Sequence, residues 1–205
     1  MRTVLARMVT LGLVCALAPI PGTACAATLT PFNMPSPSME PTIPEGGEVF
    51  AESAKAPPRV GEIIIFHPPA GAEQEQCGPR AHQVTPGGKA CARPLGKESD
   101  VLFLKRIVAG PGDEIYLKQG HVYRNGRGHS RFVRERDSFT RPCPIGASLC
   151  NYPKPIKIPA GDWFTMGDNR GESDDSRFWG PIPSSWIVGL VRSCSPRGTP
   201  CAGGR

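Results

Sequence analysis

The chain has 205 residues, including 24 glycines, 24 prolines and eight cysteines, with a formal net charge of +6. That length suits one domain with a core and room for a smaller insertion, and abundant Gly and Pro between short apolar runs argues against a helical bundle and for an all-β body. The basic residues are scattered, with no basic stripe carrying stacking aromatics and no helix-turn-helix pattern, so anionic lipid is a better expected neighbour than nucleic acid.

The N-terminus comes first. Arg2 and Arg7 precede an apolar stretch from Met8 to about Leu29. Its length is close to the roughly 20 residues that a spanning helix needs, and leading positive charge favours a cytoplasmic N-terminus with an exported body. Pro19, Pro21 and Gly22 interrupt it, and Ala24-Cys25-Ala26 has the small-x-small form of a cleavage site, so a cleaved signal peptide competes with an anchor. Both readings export the body. The cysteines agree: Cys77 with Cys91, Cys143 with Cys150, and Cys194 with Cys201 fall in near pairs, while Cys15 and Cys25 lie in the apolar N-terminus and are expected to stay free. There is no CxxC, and His67, His82, His121 and His129 lack zinc-ligand spacing relative to them, so disulfides in an oxidising compartment are expected rather than metal. Pairing by proximity is one choice among the 15 connectivities that six cysteines allow.

Beyond the N-terminus, 31–50 reads as a loop and short strand, since Met34-Pro35 and Ser36-Pro37 hold the residue before each proline extended. GEIIIF (61–66) reads as a buried strand. Residues 67–100 are polar, Gly- and Pro-rich, and read as a surface insertion closed by Cys77–Cys91. The apolar run around Lys105 reads as a strand that would bury the lysine stem, with Arg106 on its other face in a structural role, ending at Gly110-Pro111-Gly112-Asp113. Glu114–Lys118 and His121–Arg124 pair like a hairpin, and Asn125-Gly126 is a turn signal. The span 128–155 is basic and polar, with RFVRERDSFTR as a solvated face. Strand character returns over 156–164 and again over Trp186–Arg192, before a loose tail.

Three segments carry chemistry: PSPSMEPT with Ser38, FLKRIVAGPGD with Lys105, and GDNRGESDDSRFWGPIP from Gly167 to Pro183. A serine without a partner histidine needs another base, and a neutral lysine can serve. In content and order the three segments resemble the bacterial type I signal peptidases, the serine–lysine (leader peptidase) family. The likeness covers 31–50, 60–66, 103–118 and 160–183. It departs in the long 67–100 insertion and in Pro37, where glycine is frequent.

The resemblance implies Ser38 as nucleophile and Lys105 as general base. The Ser38 backbone N–H and the Ser36 hydroxyl would be oxyanion donors, Ser173 would orient the lysine, and Asp175 and Arg177 would form a supporting ion pair. Gly167 would leave room for the lysine head, and Asp168 opens the same turn. The acidic cluster Asp168, Glu172, Asp174 and Asp175 lacks the glycine position of an EF-hand, so no metal and no cofactor are expected. Shallow apolar pockets for small residues would be walled by Phe32, Met34, Met39, Ile64 and Leu104, beside an edge strand that pairs with extended peptide.

The expected architecture is a 1–29 transmembrane anchor followed by antiparallel sheets. A catalytic β-domain would take 30–118 and 159–192, an inserted β-subdomain 119–158, and a tail 193–205. The expected product is a monomeric, single-pass membrane endopeptidase with its catalytic domain on the extracytoplasmic side. It would cut signal peptides from secreted preproteins. A conjugative-transfer peptidase acting on a pilin-like precursor is the nearest alternative, with a self-cleaving serine–lysine repressor and a peptide-capturing binding module behind it.

Overall fold

The computed structural model describes residues 28–70, 72, 96–126, 131–137, 140–141, 143, 150–195 and 198–201. The expected anchor, Cys15, Cys25, the Cys77–Cys91 pair and most of the 67–100 insertion lie outside the described residues. No described helix is long and apolar enough to cross a membrane.

Among the described residues, eleven strands form two antiparallel sheets, accompanied by one short α-helix. In chain order the strands are β1 (Thr30–Asn33), β2 (Glu48–Ser53), β3 (Ile63–Phe66), β4 (Phe103–Ala109), β5 (Glu114–Lys118), β6 (His121–Asn125), β7 (Val133–Arg134) and β8 (Tyr152–Lys157). Then come β9 (Asp162–Met166), α1 (Ser176–Trp179), β10 (Ile182–Pro183) and β11 (Ile187–Cys194). The larger sheet runs β1-β2-β11-β3-β4-β9-β10, and the smaller runs β7-β6-β5-β8. The expectation of antiparallel β-sheets with little helix agrees with this.

The sheet boundary differs from the expected domain boundary. β5, expected to end the catalytic part, pairs with β6 and β8 in the smaller sheet. The two sheets share one apolar cluster, in which Val108, Phe164 and Met166 from the larger pack with Ile115, Leu117 and Ile156 from the smaller. β5 and β6 turn at Gln119-Gly120, both with positive φ (52° and 79°), as a two-residue hairpin connection requires. β8 begins in the span read as basic and polar and ends in the span read as strand. Its two prolines fit because it is an edge strand, where missing N–H donors need no partner.

Pattern explains the central strands. β3 is apolar at all four positions and buried at all four, as a strand covered on both faces must be. It lies between β11 and β4, in register Ile64 opposite Lys105 and Ile65 opposite Leu104. Cys143–Cys150 and Cys194–Cys201 are disulfide-bonded, the two proximity pairs that fall within the described residues.

Candidate active site

Ser38 is carried on a single 3-10 turn, Pro37–Met39, just past the edge strand β1. Pro37 suits the first position of such a turn, where no N–H is needed. Lys105 comes from the middle of β4. Although 67 residues separate them in sequence, Lys105 Nζ donates to Ser38 Oγ at 2.7 Å. Both side chains are buried, at 4% and 5% exposure. The Ser36 hydroxyl donates to the same oxygen at 3.2 Å.

Burial sets the lysine's charge state. It lowers the Lys105 pKa from 10.5 to about 8; Asp175 and Asp174 pull it back up, Arg177 pushes it down and Asp168 raises it. Desolvation outweighs the carboxylates because a charged ammonium in an apolar wall loses its water. The Phe103 ring, on the same face of β4, has its centroid 5.3 Å from Nζ.

The third segment wraps this pair from behind. Gly167 N–H is shared between Ser173 Oγ and Asp175 Oδ2, each at 3.1 Å. Ser173 also hydrogen-bonds the Asp175 carboxylate. A serine hydroxyl has one proton and two lone pairs, so giving the proton to Asp175 leaves an acceptor for a lysine N–H. Asp175 receives Arg177 Nε at 2.8 Å and Nη2 at 2.9 Å. Its burial opposes ionisation, but Arg177 and the hydrogen bonds from Arg177, Ser173 and Gly167 prevail and hold its pKa below 3.8.

Asp168 makes a second fork. It accepts Arg106 Nε at 2.9 Å, Arg106 Nη2 at 2.6 Å and Thr42 Oγ1 at 2.5 Å. One carboxylate thereby joins the lysine strand to the residue four places beyond Ser38. Sequence reading put Arg106 on the far face in a structural role; its pairing with Asp168, 62 residues away, had no sequence signal. Asn169 was also missed: its backbone N–H donates to the Ser38 carbonyl and its Nδ2 to the Pro37 carbonyl, both at 3.1 Å.

Gly167 sits against the serine turn. A Cβ there would press on the Ser38 carbonyl and on the Ser173 side chain, so the missing side chain makes room for the serine turn and for Ser173. Gly167→Ala is expected to cost about 1–3 kcal/mol of stability and to lower turnover sharply, because backbone must move. Thermal unfolding together with peptide turnover checks this; wild-type values in both would contradict it.

A cleft of about 540 Å³ opens over Ser38 and Lys105. Phe32, Met34, Ile65 and Leu104 form apolar wall, while Gly171, Glu172, Ser173 and Asp174 form a polar one. Two expected wall residues are corrected. Ile64 is fully buried against Phe66, Ile107 and Trp179, and its neighbour Ile65 lines the cleft instead. A run of three isoleucines has no polar alternation, so strand parity was unreadable. Met39 is fully buried in the core with Met34 and Ile43, because the 3-10 turn that aims Ser38 at the cleft rotates the next side chain inward. Among the described residues no group of His, Cys, Asp or Glu is arranged to hold a metal ion.

The comparisons with known proteins agree with one another. The family model described as "Signal peptidase, peptidase S26" matches residues 3–195. The chain is 30% identical over 163 residues to "Probable signal peptidase I-1" of Synechocystis sp., covering 78% of this chain and 67% of that protein. It is 32% identical over 168 residues to "Thylakoidal processing peptidase 1, chloroplastic" of Arabidopsis thaliana, covering 80% of this chain and only 41% of that protein. A solved signal peptidase I from Enterococcus faecalis V583 is matched at 22% identity and a TM-score of 0.38, over 67% of this chain and 98% of that chain, too slight a likeness to carry weight. Because the family model matches residues 3–195, nearly all of this chain, the chain belongs to the signal peptidase family, peptidase S26.

Proposed function

We propose that this protein is a membrane-anchored serine endopeptidase that removes signal peptides from exported preproteins after small-x-small sites. Ser38 is the nucleophile and neutral Lys105 the general base. The observation that carries this is the 2.7 Å contact between Lys105 Nζ and Ser38 Oγ, both buried at the base of the cleft. A lysine in that position with a pKa near 8 can take the hydroxyl proton at physiological pH.

The steps follow from the geometry. Ser38 Oγ attacks the scissile carbonyl carbon while its proton passes to Lys105 Nζ. The oxyanion accepts from the Ser38 N–H and from the Ser36 hydroxyl, which leaves its ground-state partner Ser38 Oγ by rotating about χ1. Lys105 then gives its proton to the leaving amine, and the C–N bond breaks to leave an ester on Ser38. Water, deprotonated by the same lysine, hydrolyses that ester. Ser173, tied to Gly167 and Asp175, keeps the ammonium aligned between steps.

Phe32, Met34, Ile65 and Leu104 favour small apolar residues before the cut, and β1, paired on one side only, offers an edge to extended peptide. The apolar stretch before Leu29 would hold the catalytic body at the extracytoplasmic membrane surface, within reach of substrates still in the bilayer.

The pH dependence tests the base. Below pH 8 the neutral fraction of Lys105 changes about tenfold per unit, and above it the fraction levels off. On an Ala-x-Ala peptide, kcat/KM is therefore expected to rise through a midpoint near 8 and then flatten. A profile flat from pH 6 to 9, or one with a midpoint near 6 as for histidine, would sink the lysine-base reading.

A further inference from the structure

We propose that Asn169 is a positioning residue for the oxyanion hole: by gripping two successive carbonyls of the serine turn it aims the Ser38 N–H into the cleft. This rests on the reading of Ser38 as nucleophile and adds to it the group that orients its own backbone donor.

The two grips differ in kind. Asn169 N–H holds the Ser38 carbonyl, and Asn169 Nδ2 holds the Pro37 carbonyl, each at 3.1 Å. The second one matters for the oxyanion. The Pro37 carbonyl and the Ser38 N–H belong to one peptide unit, which is not cis. In a trans unit the C=O and the N–H point in opposite directions. Holding the carbonyl toward Asn169 therefore turns the N–H away from Asn169. Asn169 is 1% exposed and lies behind the turn, whereas Ser36 and Ser38 line the cleft in front of it. The N–H is thus directed to the side where a substrate carbonyl oxygen would sit. Glu40 N–H also binds the Pro37 carbonyl, at 3.0 Å, which closes the turn. That bond fixes the turn's curvature, while Asn169 fixes how the peptide plane sits against the rest of the site.

Asn169 can do this because it is itself clamped. Arg141, from the segment that follows β7, forms a parallel bridge with it. Arg141 N–H donates to the Asp168 carbonyl at 2.8 Å, and Arg170 N–H donates to the Arg141 carbonyl at 3.0 Å. The buried Arg170 guanidinium binds the Gly167 and Gly120 carbonyls and pairs with Glu135. Gly120 is in the β5–β6 turn and Glu135 follows β7, so the smaller sheet braces the loop that orients the nucleophile. This gives the second sheet a task in the chemistry, although no side chain of it lines the cleft.

The test uses the full chain in detergent, with Asn169→Ala and Asn169→Leu beside wild type and Ser38→Ala. Both variants keep the backbone bond to the Ser38 carbonyl and lose the side-chain bond to Pro37, together with a longer one, 3.4 Å, from Asn169 Nδ2 to Glu172 Oε2; leucine also keeps most of the volume. Five quantities are read: kcat and KM on an Ala-x-Ala peptide, the pH midpoint, the Ki of a matching peptide boronate, and the Kd of the cleaved product peptide. The boronate forms a tetrahedral adduct whose oxygen occupies the oxyanion position, whereas the product needs no such donor. The expected result is a kcat loss of about 10–100-fold with KM within about threefold, smaller than the loss for an oxyanion donor removed outright. Boronate affinity should fall by a similar factor, with product affinity and the pH midpoint unchanged. Wild-type kcat in both variants would overturn the inference. So would a kcat loss matched by weaker product binding or a shifted midpoint, which would mean general damage to the site. The underlying reading fails separately, by turnover in Ser38→Ala.

Discussion

Lys105→Met is expected to abolish turnover while making the protein more stable. Activity should fall by about 10⁴-fold or more, because members of a nucleophile–base pair act as a unit and removing one forfeits nearly the whole effect. Stability should move the other way. Burial lowers the lysine pKa from 10.5 to about 8, so between those values the unfolded chain binds the proton that the folded one releases. Stability from this group therefore rises with pH across that window. Below pH 8 the buried lysine costs roughly 3 kcal/mol relative to an unperturbed one. Methionine keeps a similar apolar stem against Phe103 and Ile64 and carries no charge to desolvate. Urea unfolding at pH 7 should show a midpoint above wild type, with the difference shrinking toward pH 10.5. An inactive variant that is also less stable at pH 7 would mean that Lys105 is a structural cation, and the base assignment would lose its physical ground.

Asp168→Ala is expected to be the most destabilising single change at the site. The carboxylate is fully buried and takes a two-pronged bond from Arg106, itself 2% exposed, plus the Thr42 hydroxyl. Removing it takes the counter-charge from a buried guanidinium, which costs about 3–5 kcal/mol. Against a total of about 5–15 kcal/mol, much of the population would unfold on mild warming. Arg106→Met alone should cost less, since the remaining carboxylate keeps the Thr42 hydroxyl. Equilibrium unfolding of both single variants and the double variant gives the coupling. A coupling below about 0.5 kcal/mol would show that the fork is decoration rather than the joint between β4 and the serine turn.

How much of this was legible in the sequence depended on whether the signal was local. The strand around Lys105 and the β5–β6 hairpin were readable because apolar runs and turn residues are adjacent in sequence. Ser38, Lys105, Ser173 and Asp175 were named from the three segments, and the structure brings them together. Phe32, Met34 and Leu104 line the cleft as expected, but side-chain direction was missed at two other positions. Ile64 and Ile65 differ only in strand parity, and Met39 is turned inward by the very turn that presents Ser38. The Arg106–Asp168 fork and the grip of Asn169 on the serine turn join residues 62 and more than 130 apart, and composition has no means of registering such pairs. Only the end of β8 was read as strand, and its two prolines are accommodated because it is at a sheet edge.

The central claim is that Ser38, activated by Lys105, cuts after small-x-small sequences. The most direct measurement follows a fluorogenic peptide ending Ala-x-Ala before the reporter, with wild type, Ser38→Ala and Lys105→Ala in detergent, and maps the cut by mass spectrometry. The account predicts a single cut after the second alanine by wild type and none above background by either variant. A cut that persists in Ser38→Ala, or a wild type that leaves this peptide intact while cutting one with bulky residues at both positions, would contradict it.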